Sequence, residues 1–118
     1  MIAYKVVRRT IENQYCSAIM TGDAQIIYSK EKENFPPDWL AKKGYNICCF
    51  KTLRQAQYFK SARNYLWLTV WKVKGERTKL KPLFCITKNE KNIRESTPIV
   101  IPKGTIMLKS VTFIREIT

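Results

Sequence analysis

The chain has 118 residues, 45% of them hydrophobic, and its 22 Lys and Arg against 9 Asp and Glu give a formal net charge of +13. That length and apolar content belong to a single folded domain with its own core rather than to a disordered chain. No apolar run approaches the ~18 residues of a membrane-spanning helix, and "MIAYKVVRRT" is too interrupted by charge for a secretory leader, so the expectation is a cytoplasmic protein with no membrane partner.

"IAYKVVRR" reads as a first strand, with Ile2, Tyr4 and Val6 on one face and Ala3, Lys5 and Val7 on the other. "QYCSAIM" and "AQIIYS" flank Gly22-Asp23, the turn chemistry of a hairpin. "KEKENFPPDW" is a loop that leads into a short helix over about 37–43, with Pro37 suited to a first helical turn and Gly44 to the stop. "YNICCF" is a compact strand, and Thr52 then offers an N-cap to a helix over about 53–63 whose inner face is Leu53, Ala56 and Phe59.

"YLWLTVWKV" follows as a strand, Leu66, Leu68 and Val70 facing one way, Tyr65, Trp67, Thr69 and Trp71 the other. Downstream, "GERTKLK" is a basic connection, "PLFCIT" a strand, "KNEKNIREST" the most loop-like stretch, and "PIVIPKG" extended through its prolines. "TIMLKSVTFIREI" reads as one long, bulged closing strand. The expected fold is α+β: a strongly curved mixed or antiparallel sheet of six to seven strands, one main helix and one short helix.

Charge is distributed unevenly. Residues 1–41 hold 5 basic and 5 acidic groups, whereas residues 42–91 hold 13 basic and 2 acidic ones. Between Asp38 and Glu76 there is no carboxylate, while Lys42, Lys43, Lys51, Arg54, Lys60, Arg63, Lys72 and Lys74 all occur. A field of one sign attracts a polyanion, nucleic acid first. The three helical bases also lack an acid three or four residues away, the pairing that normally occupies them.

Catalytic material is sparse. The absence of histidine removes Ser-His-Asp and Cys-His arrangements, and the four cysteines at 16, 48, 49 and 85 form no C-x-x-C pair. They read as buried free thiols of a reducing compartment, with Cys48 and Cys49 on opposite faces of their strand. No glycine-rich phosphate loop, carboxylate cluster or metal-ligand pattern occurs, so no catalytic residue, metal or cofactor is expected. A small metal-free nuclease using Glu12 remains an alternative.

Binding has better material. Trp67 and Trp71 would stand about 13 Å apart on one strand face. Aromatic rings beside cations suit RNA and single strands, which offer a base to stack and a phosphate to neutralise for every nucleotide. The competing reading makes both tryptophans core. Between the two, Trp67 is expected to be the buried one and Trp71, beside Lys72, the ligand contact.

The succession "YKVVRR", "PPDWLAKKGYNICCFKTLRQAQYF", "WKVKG" and "PKGTIMLKSV" resembles small uncharacterised proteins of phage and other viral genomes. That resemblance implies a viral or mobile-element origin and assigns no functional residue. It carries the other alternative, a viral-type inhibitor that sequesters a host protein or a small nucleotide ligand. The leading expectation is a non-enzymatic basic module for nucleic acid, its bases being the eight above and its stacking residues Trp67 and Trp71.

Overall fold

The computed structural model describes residues 1–12, 14–17, 25–63, 67–88 and 93–117. The fold is α+β, and every strand pairing among the described residues is antiparallel. Strand β1 (Ile2–Arg9) lies at the centre of the larger sheet. On one side it pairs over its length with β5 (Leu68–Lys74), which pairs in turn with β10 (Thr112–Ile117). On the other side its first half meets β4 (Ile47–Phe50) and its second half β2 (Tyr15–Ser17), itself paired with β3 (Ile27–Tyr28). Beyond β4 come β9 (Thr105–Leu108) and β6 (Arg77–Thr78).

The sheet is rolled almost onto itself. Four strand spacings separate β3 from β10, about 19 Å in a flat sheet. Yet the rings of Tyr28 and Phe113 on those strands lie 5.5 Å apart. The concave interior is packed by Ala3, Val7, Ile47, Cys49, Val73, Ile106, Leu108, Val111 and Phe113. Helix α2 (Leu53–Ser61) covers part of the convex face, where Ala56 and Phe59 meet Val6, Phe50, Leu68 and Val70. Both faces of β1 are therefore buried, which is why its sequence alternates weakly.

Local chemistry sets the ends of the helices. Thr52 is extended and its hydroxyl accepts the Gln55 N–H, capping α2 as its sequence requires. The helix closes at Ser61, two residues short of the expected end. Helix α1 (Asp38–Lys42) starts one residue after Pro37, which stays extended at the N-cap. Gly44, at φ 87°, donates to the Ala41 carbonyl while Tyr45 donates to Leu40, and this left-handed glycine stop fixes the exit toward β4.

Two expectations change on contact with the structure. The long closing strand is two: β9 pairs with β4 and β6, β10 with β5, and a bulge lies between Phe113 and Arg115. The break at Ser110–Val111 is held by Asn34, whose backbone exchanges two hydrogen bonds with Val111 at 2.8 and 2.9 Å and whose amide ties down Ser29 and Lys32. The stretch read as most loop-like contains β8 (Ile93–Ile99), which forms a separate two-stranded sheet with β7 (Leu83–Lys88). Charge and proline hid that strand, which tolerates Pro98 because it is paired on one side only. The hairpin of residues 15–28 is present as β2 and β3; its Gly22-Asp23 turn lies outside the described residues.

Candidate nucleic-acid interface

The convex face collects the charge. The strand registers place Arg8, Lys72, Lys74 and Arg115 on it, the same side as Val6, Val70 and Ile117. Helix α2 adds Arg54 and Lys60, both exposed, and Lys51 precedes it, also exposed. Across α2, β1, β4, β5 and β10 the one carboxylate is Glu116, and its register opposite Trp71 puts it on the other face. The ion pairs described, Lys81–Glu95 and Lys109–Glu76, lie elsewhere. Three members of the face stand in one row across three strands: Tyr4 opposite Lys72, and Lys72 opposite Arg115.

Not every expected residue joins this face. Lys42 and Lys43 end α1 and are exposed, but β4 separates them from α2; the Lys43 carbonyl accepts a hydrogen bond from Lys81. Arg63 is half-buried, its guanidinium 3.8 Å from the centre of the Phe59 ring and donating to the Phe59 carbonyl. That stacked geometry commits Arg63 to closing the C-terminal end of α2.

The expected order of the two tryptophans is reversed. Trp67 precedes β5, is 65% exposed and contributes its backbone carbonyl to the Arg9 N–H. Trp71 points to the concave side, half-buried, its ring 5.3 Å from Phe113 in a stacked pair and 5.4 Å from Tyr15 edge-on, with Nε1 donating to the Thr69 hydroxyl. The physical reason is that β5 begins at Leu68 and is covered on both faces, so its mid-strand tryptophan is core and the residue before it is rim. Leu68 and Val70 are buried under α2 as expected, while Tyr65 and Leu66 lie outside the described residues.

Sequence reasoning missed Arg8 and Arg115, whose place on the face only the register shows, and also Tyr58 and Lys5. Tyr58 stands 78% exposed on the outer row of α2, one turn beyond Arg54, and the i, i+4 spacing was there to be read. Lys5 is the opposite case, a cation only 8% exposed inside the rolled sheet. Its Nζ donates to the Cys48 carbonyl at 2.6 Å and lies 5.5 Å from the centre of the Tyr28 ring. Burial pushes this ammonium toward its neutral form, but Tyr28, Cys49 and Cys48 push the other way, and the balance lies above the ordinary lysine value. Burial also raises Tyr28 against the pull of Lys5, raises Cys48, and pushes Cys49 up to about 12. At neutral pH the interior thus holds one cation among neutral groups, and its thiols are poor nucleophiles.

Cys16, Cys48 and Cys49 are free thiols, the first and last fully buried. Glu12 is exposed in the turn after β1. Among the described residues, no helix is long and apolar enough to cross a membrane. Comparison with protein-family models, curated proteins and solved structures gives no match to this chain.

Proposed function

We propose that the protein is a non-enzymatic nucleic-acid-binding module that takes RNA or single strands ahead of duplex DNA, using the convex, helix-bearing face. The observation that carries this reading is that a face assembled from four strands and a helix holds Arg8, Lys51, Arg54, Lys60, Lys72, Lys74 and Arg115 and no carboxylate from those elements. A compositionally basic protein would scatter its acids; here the one acid of these elements faces the other way. Exposed Tyr58 and Trp67 supply flat surfaces for bases at the margins of the charge.

Affinity for a short oligonucleotide, measured by fluorescence anisotropy across salt concentrations, tests it. Six phosphate contacts on a single strand give a log–log slope of about −4, since each contact releases condensed counterions. Micromolar or tighter binding with a slope near zero would remove the charged face from the mechanism. Absence of binding at low salt to RNA and DNA alike would favour the host-protein alternative.

A further inference from the structure

Lys72 and Arg115 occupy directly opposed positions on β5 and β10. Opposed side chains on antiparallel strands have Cβ atoms about 4.5–5.5 Å apart, where like charges repel. Neither residue makes an ion pair among the described residues. Two positions along the strand from Lys72, on the same face, stands Lys74, opposite Thr112 on β10 and Ile2 on β1. The spacing of those two rows is about 6.8 Å, the reach of one nucleotide in an extended single strand. The bulge between Phe113 and Arg115 gives the edge strand an extra residue just before Arg115, so this charge sits where the strand bends and, among the described residues, its outer side is unpaired.

We infer that the β5–β10 pair is a phosphodiester-binding site of an extended single strand, one phosphate held between Lys72 and Arg115 and the next by Lys74. This rests on the nucleic-acid reading above and adds to it a place and a geometry. An anion between Lys72 and Arg115 relieves their repulsion and gains two charge-assisted hydrogen bonds, for which the guanidinium offers a two-pronged donor. The free protein therefore carries a mutual repulsion that ligand removes, and binding and stability are coupled with opposite sign at this pair. Helix α2 lies toward the other end of β5, over Leu68 and Val70, so the site is distinct from the bases of the helix.

The test uses Lys72→Thr, Arg115→Thr and Lys74→Thr in the full chain, threonine being a residue that strands accept. Lys32→Thr, an exposed loop lysine, controls for loss of one charge. Labelled oligouridylate and a hairpin duplex of matched length are the probes. Each of the three variants should bind oligouridylate about tenfold more weakly at low salt, the usual scale of one charged hydrogen bond, and flatten the salt slope by about 0.7. The loss on duplex should be smaller. Without ligand, Lys72→Thr and Arg115→Thr should melt about 1–4 °C higher than wild type.

Wild-type binding with all three variants behaving as Lys32→Thr would overturn the site and leave the helix bases as the binding surface. Equal losses on single strand and duplex would overturn the extended-strand geometry. Lower melting temperatures for both Lys72→Thr and Arg115→Thr would show that the opposed charges are not in repulsion and would also overturn the inference. Wild-type protein that binds no nucleic acid at low salt ends the nucleic-acid reading itself, and this site with it.

Discussion

Trp71→Ala should be among the most destabilising single substitutions in this fold, and Trp67→Ala among the mildest at an aromatic position. A fully buried tryptophan removes up to ~250 Å² from water. Half of that, at 25–30 cal/mol/Å², is worth about 3 kcal/mol, an upper figure because the unfolded chain already hides some of the surface. The contacts with Phe113 at 5.3 Å and Tyr15 at 5.4 Å add about 0.5–1.5 kcal/mol each. The expected loss is then about 3–5 kcal/mol, the usual range for a core Trp→Ala change. For a chain of this size it corresponds to a fall of about 12–20 °C in melting temperature. Trp67, at 65% exposure, should cost less than about 1 kcal/mol. Urea denaturation with a shared m-value reads both numbers. A soluble quencher should quench a smaller share of the fluorescence in Trp67→Ala than in Trp71→Ala, since the accessible indole is the one removed. A Trp71→Ala loss below 1 kcal/mol would refute the rolled sheet as the reason for its burial.

Leu68→Ala, beneath α2, should cost about 2–5 kcal/mol in the same urea assay; a loss below 1 kcal/mol would mean that α2 does not pack as described. Thr52→Ala should cost about 1 kcal/mol through its lost cap, and Thr52→Ser should restore most of it. Stability should decline as pH climbs past about 10, because Lys5 and Tyr28 both have folded-state values above their unfolded ones. Their contribution is complete below the unfolded values and is lost as pH rises through the folded ones; Tyr28→Phe should blunt the decline, and an unchanged profile would remove Tyr28 from it. Purified protein should cleave neither RNA nor DNA, with or without added divalent metal; turnover that disappears in Glu12→Gln would establish the nuclease alternative.

Much of the fold was legible because local chemistry and tertiary demand agree there. Thr52 with the face Leu53, Ala56 and Phe59 announces α2, and Gly44 announces the end of α1. The errors fall where pairing overrides local signals. Nothing between Thr105 and Ile117 says that the chain leaves β4 for β5; that change is made by Asn34, 77 residues away from Val111. The eight bases could be named from the sequence, but not their grouping, because face membership depends on register and a shift of one residue reverses it. Arg115 was invisible for that reason, having no local link to Lys72. Lys5 sits in an alternation that a solvated strand would share, and only the curl of the sheet encloses it.

The position of β1 at the centre of the sheet bears on how the chain acquires its structure. Strand β1 gains its principal neighbour only with β5, some sixty residues later, and β5 gains its outer neighbour only with β10. Pairings so distant in sequence place the loop-closure cost before the reward, and such topologies fold slowly. An emerging chain would hold "IAYKVVRR" with the edge that later takes β5 open, while β2 and β4 can pair with the other edge earlier. Lys5, Arg8 and Arg9 in that strand put positive charge where two nascent copies would otherwise align edge to edge. Charge in β1 thus works against edge-to-edge pairing during the long interval before β5 covers the strand.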